Sequence, residues 1–178
     1  MKTGDSYLFP NRNPSDCGSE IGSCPRFSPD TPSGIYLLLL DVPLSVTVRV
    51  GALGELPFPA GRYAYVGSAR RGLRARLARH ARREKPLRWH VDYLRMAAEP
   101  AAALVWSWRR GRECWLARSI VRLGLGRIAA PRFGSSDCGC AGHLLVLTSV
   151  ETGIMAIELA AALGEAPSLW SLLPGDER

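Results

Sequence analysis

Strand-like and helix-like segments follow one another in this chain without the strand–helix–strand rhythm of a parallel sheet, and that order constrains the fold most. "SGIYLLLLDV" at 33–42 is a continuous apolar run of strand length. "LSVTVRVG" at 44–51 alternates β-branched with polar residues, and "DVP" between the two runs is a turn signal. The pair therefore reads as a hairpin. "GALGELPFPAG" reads as a loop and "RYAYVG" at 62–67 as a third strand, with Tyr63 and Tyr65 on one face. A helix is expected from about Gly72 to Arg83, stopping before Pro86, and a short one in "RWHVDYLRMAA". "AAALVWSW" is a buried strand, "RECWLARSIVRL" a helix ending at Gly124 and Gly126, "PRFGSSDCGCAG" a loop and "HLLVLTSV" a strand. The predicted class is α+β: a small, mostly antiparallel sheet flanked by helices.

A chain of 178 residues is one domain in size. Residues 1–32, rich in Pro, Ser, Asp, Asn and Gly, read as a disordered or loosely packed tail. That leaves 33–150 as the folded domain and 151–178 as a C-terminal helix and tail. No apolar run reaches the roughly 20 residues that span a bilayer, and the first thirty residues lack the layout of a secretory signal. A cytoplasmic location is the expectation. Five cysteines (Cys17, Cys24, Cys114, Cys138, Cys140) form no regular framework, so structural disulfides are not expected.

The formal net charge is +7, but it is concentrated. Residues 60–95 hold eleven Lys or Arg against only Glu84 and Asp92, a local excess of +9, so the remainder is slightly acidic. Guanidinium groups donate paired hydrogen bonds to phosphate oxygens. Arg70, Arg71, Arg74, Arg79, Arg82 and Arg83 are therefore candidates for holding a nucleic-acid backbone. A solvated basic face is the plainer reading of the same charge.

Three further features carry chemistry. On a helical wheel Leu73, Leu77 and Ala81 form a core stripe, and Arg76 and His80 lie together along one edge of it. Glu113 projects from an apolar face made of Leu116, Ala117, Ile120 and Leu123. A carboxylate there needs a cation, a metal or a first-turn escape to water. Cys138, Cys140 and His143 offer three soft ligands without a fourth partner in sequence. Cys24 or Cys114 would complete the set only through a tertiary contact, so the segment reads as a structural loop, with Asp137 capping a turn. His90 either assists catalysis or anchors a helix.

"GIY" at 34–36, "YVG" at 65–67, Arg76, His80 and Glu113, in that order, resemble the GIY-YIG nuclease domain over roughly residues 33–148. "GRYAYVGSARRGL", "RWHVDYL" and "FGSSDCGCAGHL" are similar, more narrowly, to the small stand-alone Uri-type endonucleases. The resemblance implies the GIY-YIG fold and a one-metal endonuclease acting on DNA, or RNA. Glu113 would be the sole carboxylate on Mg²⁺ or Mn²⁺, and Arg76 would bind the scissile phosphate. Tyr65, before Tyr36, would take a proton from the attacking water, its phenolate favoured by Arg76 and the metal. His80 would bond a tyrosine or relay the proton.

Two departures from that pattern stand out. Twenty-eight residues separate the two tripeptides, so a hairpin is inserted and must fold outward. One extra residue, Gly72, precedes the helix and must absorb an unusual backbone angle to keep Arg76 in phase. The alternatives are a catalytically inactive nucleic-acid-binding module of the same fold, or a metal-stabilised structural protein built on the late Cys/His loop.

Overall fold

The computed structural model describes residues 33–148 and 151–172. In chain order the elements are β1 (Gly34–Val42), β2 (Val46–Arg49), β3 (Glu55–Phe58), β4 (Gly61–Ala69), α1 (Leu73–Ala81), α2 (His90–Arg95) and β5 (Glu99–Ser107). They continue with α3 (Arg112–Arg122), β6 (Gly126–Ile128), β7 (Leu144–Leu147), α4 (Thr152–Leu163) and β8 (Ser168–Ser171). Six strands form one sheet in the order β6-β7-β4-β1-β5-β8, and every neighbouring pair is antiparallel. The fold is α+β, as the order of segments predicts.

β1 lacks polar alternation because both of its faces are covered. Tyr36, Leu38 and Leu40 enter a core shared with Leu73 and Leu77 of α1 and Val91 and Leu94 of α2. Ile35, Leu37 and Leu39 enter a second core with Leu116 and Ile120 of α3 and Met155 and Leu159 of α4. β1 and β4 pair without a slip from Gly34↔Ala69 to Val42↔Gly61.

That long register corrects one expectation. β1 does not form a hairpin with β2, because β4 and β5 occupy both of its edges. β2 pairs instead with β3 in a separate two-stranded sheet, so the insertion does fold away from the β1–β4 pair. β3 lies in the stretch expected as a loop, and Pro57 within it hides the strand, since proline is tolerated only where no ladder donor is needed. Two more strands went unread: β6, three residues long, and β8, which pairs with β5 where a tail was expected. Residues 1–32, including Cys17 and Cys24, lie outside the described residues. Among the described residues no helix is long and apolar enough to cross a membrane.

Candidate active site

The start of β1 and the end of β4 meet the first turn of α3 at a cleft of about 700 Å³. Its walls carry Ile35 and Ser68 from the strands, Glu113 from α3, and Arg70, Arg71 and Arg76 from the β4–α1 region. Asp137 and the segment Trp108–Gly111 complete it. Arg109 and Arg110 were not singled out from sequence, although a paired arginine just before the α3 glycine was visible there. With them the cleft has five arginines.

Gly72 precedes α1 with φ 62°, the left-handed angle expected of it, and its carbonyl accepts the Arg76 N–H at 2.9 Å. Arg76 is half-buried, with its guanidinium carbon 4.2 Å from the Trp89 ring centroid. One turn on, His80 is 2% exposed and its Nε2 lies 2.8 Å from the Tyr36 hydroxyl. Burial, reinforced by the Lys85 charge, pulls the His80 pKa down to about 3. The ring is thus neutral at physiological pH, with one nitrogen a donor and the other an acceptor, and its Nε2 shares a hydrogen bond with the Tyr36 hydroxyl. His80 Nδ1 has no partner among the described residues.

Gly67 sits opposite Tyr36 in the ladder. A Cβ there would stand 2.5 Å from both Cζ and the hydroxyl oxygen of Tyr36. The glycine of "YVG" is therefore the space the Tyr36 ring occupies. Burial pushes the Tyr36 phenol well above its ordinary pKa, and Tyr65 adds to this while Arg76 opposes it. Tyr65 is likewise raised by burial and by Glu113, again against Arg76. The guanidinium does not outweigh burial at either phenol, so in the protein alone neither tyrosine is the anion expected of a base.

Glu113 escapes the apolar face of α3 by its place in the first turn, where its side chain is 28% exposed. The Ser68 hydroxyl donates to Oε2 at 2.7 Å, and His143 Nδ1 stands 3.5 Å from Oε1, too long for a full hydrogen bond. Burial raises the Glu113 pKa, but interactions with His143 and Ser68 and the Arg76 charge together leave it below the ordinary value. An ionised carboxylate opening on a polar cleft whose lining also includes Asp137 fits a hard divalent cation that keeps most of its waters.

The remaining candidates separate. Arg70 and Arg71 line the cleft, and the Arg70 guanidinium lies 5.4 Å from the Trp108 ring. Arg74 and Arg82 are exposed outside it. Arg79 is not free for a phosphate: it grips both oxygens of the fully buried Asp92 and donates to the Pro86 carbonyl, tying α1 to α2. Arg83 pairs with Glu99. His90 accepts the Gly134 N–H at 3.0 Å, which gives it the anchoring role. Asp137 is exposed. His143 is buried between Glu113 and Cys138. Cys114, next to Glu113, reaches Cys138, Cys140 and His143, and the four ligand atoms lie within 4.8 Å of one another. The tertiary contact that the sequence left open is therefore made.

A family model described as a domain of unknown function, DUF123, matches residues 35–163. The chain belongs to the DUF123 family. No curated protein and no solved structure matches it. The DUF123 span runs from β1 to the last residue of α4 and takes in the whole cleft, the Tyr36–His80 pair and the Cys/His cluster.

Proposed function

We propose that this DUF123 domain is a cytoplasmic, metal-dependent endonuclease that hydrolyses phosphodiester bonds in DNA, in the manner the GIY-YIG resemblance implies. The observation that carries the reading is convergence. Arg76 of α1 and Glu113 of α3 line one cleft at the end of the β1–β4 pair, and one turn on from Arg76 the buried His80 is bonded to Tyr36 of β1.

In this reading Glu113 would hold Mg²⁺ or Mn²⁺, which would supply Lewis-acid stabilisation of charge on the phosphoryl oxygens. Arg76, steadied on Trp89, binds the scissile phosphate and offsets the charge that grows in the transition state. Tyr36, hydrogen-bonded to His80, would pass its proton to that ring as its oxygen accepts one from the attacking water. Transfer through the pair needs no free phenolate. An entering phosphate anion also offsets the nearby Arg76 charge and so raises the proton affinity of His80. Tyr65, held beside the pair with its ring centroid 6.2 Å from that of His80, shapes this pocket.

The test is cleavage of plasmid, branched and single-stranded DNA with Mg²⁺ or Mn²⁺. Glu113→Ala should abolish product, and Arg76→Ala should lower kcat by about 10²–10³. Tyr36→Phe and His80→Gln should each cost about 10²–10⁴, and the double variant no more than the worse single one. A wild-type chain that cuts none of these substrates, or a Glu113→Ala variant as active as wild type, sinks the reading.

A further inference from the structure

Three thiols and an imidazole converge beside the cleft, and the nuclease reading uses none of them. Cys114 comes from the first turn of α3, and Cys138, Cys140 and His143 from the loop between β6 and β7. All four ligand atoms lie within 4.8 Å of one another, and the three cysteines are not joined in a disulfide. Tetrahedral zinc, with bonds of about 2.3 Å to sulfur and about 2.0 Å to nitrogen, holds its ligand atoms about 3.5–3.8 Å apart. The Cys138 Sγ to His143 Nε2 distance is 3.6 Å.

The loop reaches this arrangement on its own hydrogen bonds. His143 N–H donates to Phe133 O at 2.7 Å, Cys138 N–H to Ser135 O at 3.3 Å, and the Ser135 hydroxyl to Cys140 O at 3.1 Å. His90 fixes the same loop from α2 through Gly134. The imidazole is also oriented for a metal. Its Nε2 faces the sulfurs while Nδ1, buried and otherwise without a partner, points at the Glu113 carboxylate. A carboxylate behind the far nitrogen is how metal-bound histidines are usually fixed in one tautomer.

We propose that Cys114, Cys138, Cys140 and His143 bind one structural Zn²⁺. Four protein ligands close the tetrahedron and leave no open position for chemistry. Soft thiolates select zinc over Mg²⁺, so this ion is separate from the hard cation at Glu113. It clamps the first turn of α3 to the β6–β7 loop, and through His143 it holds the carboxylate next to Cys114. The site stands without the nuclease reading, because metal content is measured without any cleavage assay.

The experiment is metal analysis of the full chain purified from zinc-containing medium, followed by exchange with Co²⁺. One zinc per chain is expected, with the visible and near-ultraviolet bands of a tetrahedral cobalt–thiolate centre after exchange. In a Cys17→Ser/Cys24→Ser background the remaining three thiols should resist a thiol reagent until a chelator is added. Cys140→His keeps a four-ligand set, so it should retain one Co²⁺ with weaker thiolate absorption. Replacing Cys114, Cys138 and Cys140 together by Ser should lower zinc at least about tenfold. A wild-type chain that neither carries zinc nor takes up Co²⁺ overturns the proposal. So does a disulfide among the three cysteines of freshly purified protein, or full zinc content in the triple variant.

Discussion

Gly67→Ala tests whether the "YVG" glycine exists to seat Tyr36. The added Cβ would lie 2.5 Å from Cζ and from the hydroxyl oxygen of Tyr36, about 1 Å inside ordinary contact. The ring cannot swing clear, since it is 1% exposed and its hydroxyl is tied to His80 at 2.8 Å. Either β1 and β4 separate locally or the ring moves and the bond breaks. Overpacking of this kind costs about 1–3 kcal/mol. Loss of the Tyr36–His80 bond adds about 0.5–1.5 kcal/mol. A total of about 1.5–4.5 kcal/mol corresponds to a fall in Tm of about 3–18 °C for a chain of this size. Thermal unfolding followed by circular dichroism reads the effect directly. Gly153→Ala is the control: nothing lies within 4 Å of its Cβ in α4, so it should be neutral or stabilising by up to about 1 kcal/mol. In a Tyr36→Phe background the cost of Gly67→Ala should shrink, because one of the two closest atoms is gone. A Gly67→Ala protein melting within about 1 °C of wild type would refute the packing argument.

His80 should stay neutral across pH 5–8, so its imidazole NMR resonances should not move there. Its folded pKa of about 3 lies below the unfolded value, so its contribution is complete above about pH 6.5 and declines as pH falls towards 3, by about 1.4 kcal/mol per unit. Urea melts at pH 7 and pH 5 should therefore lose about 2 kcal/mol through this residue, a loss that His80→Gln removes; equal acid sensitivity in both proteins would contradict it. Asp92→Ala strips a fully buried carboxylate from Arg79, Lys85 and the N–H groups of Arg88 and Trp89, and should destabilise by about 3–5 kcal/mol in the same melts. If the cleft arginines Arg70, Arg71, Arg76, Arg109 and Arg110 each meet a phosphate, log K against log[salt] for duplex DNA should slope about −4.5. Arg110→Ala should then flatten the slope by about one, and Arg79→Ala should leave it unchanged.

The sheet's centre was legible because burial on two faces leaves an unbroken apolar run, and β1 is such a run. The edges were not, because short strands such as β6 and β8 take their conformation from a neighbour's ladder and not from a pattern of their own. Around the cleft, helical phase sufficed to place Arg76 and His80 together, four residues apart on α1, with Arg76 half-buried and His80 in the core. Ser68 left no signal: a serine in a strand says nothing of a carboxylate 45 positions later until β4 and α3 are packed together. Cys114 was ambiguous for the same reason. Its partners lie more than twenty residues away, and only the return of the β6–β7 loop to the start of α3 brings them together.

The basic segment shows most clearly what charge counting misses. Of the eleven cations at 60–95, Arg62 pairs with Asp41, Arg79 and Lys85 share Asp92, and Arg83 and Arg95 share Glu99. Five of the eleven are thus engaged by three carboxylates, two of which, Asp41 and Glu99, lie outside residues 60–95. Arg79 and Lys85 do structural work that depends on burial. Lys85 caps the last turn of α1 by donating to the carbonyls of Arg79 and His80 while its charge meets Asp92. These ion pairs fix where α1 lies against α2, and hence the angle at which Arg76 meets the cleft beside Trp89. Part of the arginine helix therefore contributes charge to a ligand, and part contributes only the geometry that aims the rest. Net charge does not distinguish the two; the buried carboxylate between them does.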